Sequence, residues 1–168
     1  DTPIDSNRNT RSSVTTLPPS SRLATRSIRP VRSLVLAQEE PDGNWIEKRG
    51  ARLKPLDGIP LAVKDAQRLA GKRTTHGSLI FKDAVDDHSD PMIERLQMAG
   101  ANIFARTTVP EFCLSGVTHT RMWGITRNPW NTEWGPGGSS GGSGAALAAG
   151  LTTLATGTDI GGSIRIPA

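Results

Sequence analysis

Gly-Gly-Ser-Ser-Gly-Gly-Ser-Gly at residues 137–144 and Gly-Thr-Asp-Ile-Gly-Gly-Ser-Ile-Arg at residues 157–165 are the two stretches that decide the fold. We call them the first nest and the second nest. Glycine has no Cβ atom, so backbone N–H groups in such stretches can approach a ligand closely. Ser139 lies in the first nest, Ser163 lies in the second, and Lys64 follows an apolar run upstream. Two serines and a lysine can supply the nucleophile and the base of a hydrolase that uses neither histidine nor metal.

Other functions of glycine-rich loops fit these nests less well. A phosphate-binding P-loop ends in Gly-Lys-Ser or Gly-Lys-Thr, and neither nest contains lysine. A dinucleotide fingerprint needs a glycine where Leu147 stands, at the third position after Gly144. A flexible linker stays open for the first nest taken alone, although the Ala-rich helical pattern that follows it argues against one.

Charge is distributed unevenly along the chain. The 168 residues are enough for about one domain. The net charge of +4 belongs to residues 1–33, which hold six arginines and two aspartates, whereas residues 34–168 hold fourteen basic and fourteen acidic residues. No aromatic residue is interleaved with those arginines, so we expect no nucleic-acid partner. No apolar run approaches the length that spans a bilayer.

The single cysteine, Cys113, excludes an internal disulfide and a cysteine-rich metal site. It fits a reducing compartment, and we expect a cytoplasmic protein. The Arg- and Ser-rich, acid-poor composition of residues 1–33 is also typical of an organelle transit peptide, so both locations stay open. Because no histidine or glycine nest adjoins Cys113 in the sequence, we expect a small buried packing residue there.

The chain divides into two regions. Residues 1–54 are predicted to be a poorly ordered or divergent segment, because Ser, Thr, Arg and Pro dominate its first part. Residues 55–168 have the alternating pattern of an α/β protein. We predict a helix that begins at Asp90-Pro91 and ends at Gly100, and a second helix at 143–149. Strands are predicted at 59–63, 101–105 and 151–155.

Three motifs together resemble the amidase signature family of serine hydrolases: Gly-Ile-Pro-Leu-Ala-Val-Lys-Asp at 58–65, the glycines and serines of 137–142, and residues 157–168. The resemblance covers about residues 55–168. It implies an α/β fold with a mixed central sheet flanked by helices. Since the family's sheet takes further strands from later sequence, we expect this chain to carry only the N-terminal part of that catalytic domain.

The resemblance also implies a role for each residue of the site. Ser163 matches the nucleophile that forms an acyl-enzyme, and Lys64 matches the base. Ser139 matches the serine that relays protons, which in the family follows a cis peptide bond. The oxyanion hole is matched by the backbone of Ile160, Gly161, Gly162 and Ser163. The resemblance assigns supporting roles to Ser140, Asp159 and Arg165. The family's mechanism uses no cofactor and no metal.

The implied function is hydrolysis of a carboxylic amide C–N bond to an acid and ammonia or an amine. The expected partner is a small-molecule amide, with homo-oligomerisation of the longer parent left open. A second hypothesis is the glutaminase-type A-subunit of an aminoacyl-tRNA amidotransferase. That branch usually has threonine where Ile160 stands and a polar residue where Ile166 stands, so both isoleucines favour the general amidase. A third hypothesis is a catalytically inactive fragment, because much of the sheet that would position the catalytic groups is missing.

Overall fold

The computed structural model describes the backbone of residues 35–38 and all of residues 54–168. The prediction for residues 1–54 therefore lies almost wholly outside the described residues. The elements are β1 (Val35–Gln38), β2 (Pro60–Lys64), α1 (Pro91–Met98), β3 (Asn102–Thr107), β4 (His119–Thr120), β5 (Gly124–Ile125), α2 (Gly141–Ala148) and β6 (Leu154–Ala155), with 3-10 turns at Leu79–Phe81 and Glu111–Cys113. Neither helix of this part of the chain has the length and apolar character needed to cross a membrane.

The larger sheet has the strand order β1-β3-β2-β6. β2 pairs in parallel with β3 and with β6, whereas β1 pairs antiparallel with β3. Parallel neighbours need a long crossover connection, and α1 lies between β2 and β3 as α2 lies between β3 and β6. The predicted α/β class with a mixed sheet and flanking helices is confirmed.

β2 is the buried centre of this sheet. Leu61 and Val63 are 3% and 0% exposed. They pack with Leu69 and Ile93 in the apolar core. A parallel strand covered on both faces is apolar along its whole length, which explains why the sequence shows a run rather than an alternation. The strand ends at Lys64, so its side chain stands at the carboxyl edge of the sheet, where ligands of such sheets bind.

α1 begins and ends where the sequence predicts. Asp90 precedes it in an extended conformation, and Pro91 takes the first helical position, where a missing N–H breaks no helical hydrogen bond. Ile93 faces the core and is 0% exposed. Gly100 follows the helix with φ at +94°, a left-handed conformation that glycine adopts without the penalty of a side chain.

α2 begins at Gly141, inside the first nest, rather than at the predicted Ser143. Glycine disfavours helix by about 1 kcal/mol, so the local pattern placed the start too late. Packing overrides that preference, because a Cβ atom on Gly142 would collide with the N atom of Thr108 and lie 2.5 Å from its O atom. The absence of a side chain lets the helix lie directly on the backbone that follows β3.

β6 is shorter than the predicted strand at 151–155, because only Leu154 and Ala155 pair with β2. Upstream of them, the Thr152 hydroxyl donates to the carbonyl oxygen of Leu154 at 2.7 Å. Such a local hydrogen bond competes with strand pairing.

Gly142→Ala is expected to destabilise the protein. The new methyl group would collide with backbone atoms of Thr108, and overpacking costs about 1–3 kcal/mol or more. Backbone atoms cannot rotate away from the methyl group, so we expect a cost at the upper end of this range. That cost exceeds the roughly 1 kcal/mol by which alanine is favoured over glycine in a helix. Chemical denaturation of the natural polypeptide measures the free energy of unfolding. Gly135→Ala is the control, since a Cβ atom there meets nothing within 4 Å. Equal free energies for both variants would contradict the argument.

Candidate active site

The amine of Lys64 is surrounded by hydroxyl groups. Lys64 is 0% exposed at the end of β2. Its Nζ atom donates to three hydroxyl oxygens, Ser139 Oγ at 2.8 Å, Ser140 Oγ at 2.9 Å and Thr158 Oγ1 at 2.7 Å. These bonds would use every donor of an ammonium group. The lysine and both nests, which are far apart in the sequence, therefore meet at one point.

Burial lowers the pKa of Lys64 below its ordinary value of 10.5. The neighbouring Cys113 and Asp159 act in the opposite direction, but the effect of burial is larger. Among residues 54–168, no carboxylate lies at ion-pair distance from this amine. Because the hydroxyl partners supply no full negative charge, burial shifts this amine towards its neutral form, which would donate two of the three hydrogen bonds and accept the third. A neutral amine can accept a proton, as a general base must.

Ser139 is held inside the first nest and is 1% exposed. The peptide bond between Gly138 and Ser139 is cis, which confirms the expectation from the family resemblance. A Cβ atom on Gly138 would lie 2.9 Å from the carbonyl oxygen of Ser115. The nest can lie this close to the neighbouring backbone because residue 138 has no side chain.

Ser140 joins the two nests. Its N–H donates to the carbonyl oxygen of Ser163 at 3.0 Å. Its hydroxyl donates to the carbonyl oxygen of Thr158 at 3.4 Å and accepts from the Lys64 amine. Ser140 thus contacts both the base and the segment that carries the predicted nucleophile.

Thr158 belongs to the site, although it was not among the residues predicted from the sequence. It stands in the second nest next to Asp159, and its hydroxyl accepts from the Lys64 amine. The signal in the sequence was a hydroxyl residue within a nest that already held a predicted site residue. Nothing local connected it to a lysine 94 positions away.

Ser163 is partly buried beside the first nest, where its carbonyl oxygen accepts from Ser140. Its hydroxyl makes no hydrogen bond with any residue in the described ranges. The structure thus joins Lys64 to Ser139 directly and joins Ser163 to Ser140 through the backbone. The proton relay from Ser139 to Ser163 stays a prediction.

The second nest is folded around Asp159. Its carboxylate accepts three backbone N–H groups, those of Gly162 at 2.7 Å, Ile164 at 3.0 Å and Arg165 at 3.1 Å. The Arg165 guanidinium binds the same carboxylate through Nε at 3.0 Å and Nη2 at 2.9 Å. Arg165 and the Gly162 N–H hold the pKa of Asp159 well below its usual range, and Asp159 in turn raises the pKa of Arg165.

Backbone N–H groups of the second nest divide into two kinds. Those of Ile160, Gly161 and Ser163 donate to no acceptor among the described residues. That of Gly162 donates to Asp159, so in this structure it stabilises the loop rather than facing a ligand. A Cβ atom on Gly161 would meet nothing within 4 Å, which leaves room beside this backbone. The assignment of an oxyanion hole stays a prediction, carried by the three N–H groups that are not used within the loop.

The expectation for Cys113 as a buried packing residue is wrong. Cys113 is only partly buried, and it lies close enough to the Lys64 amine to raise its pKa. The backbone is left-handed at Phe112 and Cys113, with φ at +51° and +59°. The Phe112 N–H donates to the carbonyl oxygen of His76 at 2.8 Å, which anchors this turn to a segment remote in the sequence. Sequence neighbours alone could not show that contact.

No cluster of metal-binding side chains occurs among the described residues. His88, for example, has its two ring nitrogens 2.5 Å from Asp87 Oδ1 and 2.9 Å from Arg68 Nη1 at the surface. That arrangement combines one carboxylate with a cation and lacks the ligand set of a metal site.

Several known proteins share sequence and fold with this chain. The Amidase family model matches residues 34–168. Over 113 residues the chain is 50% identical to the A-subunit of glutamyl-tRNA(Gln) amidotransferase from Lachnoclostridium phytofermentans, covering 67% of this chain and 23% of that protein. It resembles the structure of peptide amidase from Stenotrophomonas maltophilia (TM-score 0.69, 34% identity), covering 78% of this chain and 30% of that one. It also resembles the A-subunit of glutamyl-tRNA(Gln) amidotransferase from Thermotoga maritima (TM-score 0.66, 32% identity), covering 82% and 30%.

The chain therefore belongs to the amidase signature family. Its sheet and helices form a part of the fold that the family's solved structures share. The chain spans less than a third of the length of these relatives. The family match begins at residue 34, upstream of the stretch from residue 55 on which the resemblance was based.

The lowered pKa of Lys64 predicts how stability depends on pH. A lysine whose pKa is lower in the folded than in the unfolded state destabilises the fold at low pH, and this cost decreases as the pH rises towards the ordinary value of 10.5. Lys64→Met keeps an unbranched side chain and removes the titrating amine. We expect the free energy of unfolding of the wild type, minus that of Lys64→Met, to increase between about pH 7 and about pH 9.5.

Chemical denaturation of the wild type and of Lys64→Met at the two pH values measures that difference. Lys82→Met is the matched control, because the Lys82 side chain is 62% exposed and makes only a long surface ion pair. A wild-type minus Lys64→Met difference that does not change with pH would show that burial does not control the protonation of Lys64.

Proposed function

We propose that the natural polypeptide hydrolyses an amide C–N bond through an acyl-enzyme on Ser163, with Lys64 as the base and Ser139 as the proton relay. The observation that carries this proposal is the buried Lys64 amine, with its lowered pKa, 2.8 Å from the Ser139 hydroxyl. Serine–lysine arrangements of this kind activate a hydroxyl without histidine. Family membership supports the same chemistry.

In the first half of the reaction, neutral Lys64 takes the Ser139 proton while Ser139 takes the Ser163 proton. The Ser163 oxygen attacks the carbonyl carbon of the amide, and the carbonyl electron pair moves onto its oxygen. As that oxyanion collapses, the C–N bond breaks. The proton returns from Lys64 through Ser139 to the leaving nitrogen, so an ester on Ser163 and a free amine or ammonia remain.

In the second half, water gives its proton to the same relay and attacks the ester carbonyl. The C–O bond to Ser163 breaks, the serine regains its proton, and the acid leaves. The N–H groups of Ile160, Gly161 and Ser163 receive the negative oxygen in both halves. Losing one donor of this kind costs roughly 10²–10³-fold in rate.

Ser163→Ala is expected to abolish covalent labelling by a fluorophosphonate probe, because the probe reacts with an activated serine hydroxyl. Ser139→Ala and Lys64→Ala should each lower the labelling rate by about 10³-fold or more, since each interrupts the relay. Intact-mass spectrometry of the natural polypeptide gives the rate, and peptide mapping identifies the labelled residue.

Ser115→Ala is the control for this series, because Ser115 is an exposed serine outside both nests. It should be labelled on Ser163 at the wild-type rate. Labelling of Ser163 that persists unchanged in Lys64→Ala would contradict the proposed base. Absence of any label on the natural polypeptide would favour the third hypothesis, a catalytically inactive chain.

A second candidate function is a glutaminase component of an amidotransferase. It is favoured by relatives 47–50% identical that carry the name of the A-subunit of glutamyl-tRNA(Gln) amidotransferase. Ile160 and Ile166 favour the general amidase. On the glutaminase hypothesis the chain would work with partner subunits. On the general amidase hypothesis it acts on a small-molecule amide. That hypothesis also includes homo-oligomerisation and a cytoplasmic location.

Ammonia release from glutamine and from hexanamide distinguishes the two candidates. A general amidase should release ammonia from hexanamide without any other protein. A glutaminase component should be selective for glutamine. Release from hexanamide that equals or exceeds release from glutamine would exclude the glutaminase assignment.

A further inference from the structure

The hydrogen-bond ladder between β6 and β2 becomes irregular at Thr156, where a side chain replaces a carbonyl oxygen as the acceptor. Leu154 and Ala155 pair in parallel with Leu61 and Ala62, and the Thr156 N–H continues the ladder by donating to the carbonyl oxygen of Ala62 at 2.9 Å. In a regular parallel ladder, the Lys64 N–H would then donate to the Thr156 carbonyl oxygen. It donates instead to the hydroxyl oxygen, Thr156 Oγ1, at 2.9 Å.

This exchange leaves the Thr156 carbonyl oxygen available to another element. The Ser143 hydroxyl on α2 donates to it at 2.8 Å. The Ser143 oxygen also lies 2.7 Å from Thr107 Oγ1 at the end of β3, and because its own proton is committed to Thr156, it accepts there. Thr156 is thereby linked through its carbonyl to α2 and β3.

The Thr156 hydroxyl is fixed in orientation. It accepts from the Lys64 N–H and donates to the side-chain oxygen Oε1 of Gln67, so both of its functions are used. Gln67 is itself held by its N–H, which donates to the carbonyl oxygen of Lys64 at 3.0 Å. Thr156 is 8% exposed and Gln67 is 5% exposed, so water does not replace these partners readily.

We propose that Thr156 is a positioning residue that sets the distance between the Lys64 base and both nests. It binds the backbone of Lys64, and it binds α2, whose first turn belongs to the first nest. The second nest begins at the next residue, Gly157. It contacts no reacting atom. The inference rests on the proposed function, because it gives Thr156 a role only if Lys64 and the nests act together.

Two substitutions separate the hydroxyl from the rest of the side chain. Thr156→Val keeps the β-branched shape and removes the acceptor of the Lys64 N–H, whereas Thr156→Ser keeps the hydroxyl. The probe is a fluorophosphonate, whose maximal inactivation rate reports activation of Ser163 and whose half-saturating concentration reports binding. Because displacement of a catalytic group by about 1 Å can cost on the order of 100-fold, we expect Thr156→Val to lower the maximal rate by about 10- to 100-fold.

The half-saturating concentration should stay within about threefold, and Thr156→Ser should restore most of the maximal rate, since only alignment of the base is changed. Thr153→Val is the matched control, because Thr153 is exposed and its only described hydrogen bond, to the Pro60 carbonyl oxygen, is long at 3.5 Å. It should label like the wild type.

A wild-type maximal rate in Thr156→Val, or a Thr156→Ser variant as slow as Thr156→Val, would overturn the proposal. If Thr156→Val does not fold, Ser143→Ala tests the same link from the helix side. It should lower the maximal rate while preserving binding, and a wild-type rate would overturn the proposal equally. Ser163→Ala in the same assay keeps the two levels apart: continued labelling there refutes the proposed function itself, whatever the Thr156 variants do.

Discussion

The candidate site depends on holding one amine in the interior without a carboxylate partner among the described residues. A fully buried lysine is rare because burial removes the water that stabilises its charge. Ion pairing would compensate for this loss, but it would also keep the amine protonated. The hydroxyls of Ser139, Ser140 and Thr158 provide hydrogen bonds and only partial charge, so the desolvation effect prevails and the pKa falls.

The topology around the lysine brings the surrounding hydroxyl groups to it. Three parallel strands, β3, β2 and β6, end at the same edge of the sheet. The second nest follows the end of β6, and the first nest packs on Thr108, which follows β3. The elements must approach within backbone contact, which excludes side chains at particular positions. Cβ atoms at Gly142 and Gly144 would collide with Thr108 and with the carbonyl oxygen of Pro167. The glycines therefore serve packing between elements as much as access for a ligand.

The sequence predicted what local chemistry determines. The run that ends in Lys64, the Asp90-Pro91 helix start and the Gly100 stop each depend on a few adjacent residues, and all three are found. The start of α2 was misplaced because a tertiary contact outweighs the low helix preference of glycine. The proximity of Thr158 and Cys113 to the Lys64 amine was not predicted, for a related reason. Their importance depends on partners more than 45 residues away, and no periodicity or spacing encodes such a contact.

The second nest is fixed in two physically different ways. Asp159 binds groups three to six residues further along, namely Gly162, Ile164 and Arg165, so it determines the shape of the loop. The Arg165 side chain is 74% exposed and the Asp159 side chain 15%, so solvent and salt screen this pair from the arginine side. Local contacts cannot decide where the loop lies relative to the lysine. That placement needs bonds that span the fold, such as the one between the Lys64 amine and the Thr158 hydroxyl. On our proposal Thr156, which is 92 residues from Lys64, adds a link through neutral, buried groups that salt does not weaken. The contribution of Arg165 to the loop shape is therefore sensitive to ionic strength, whereas the link through Thr156 is not.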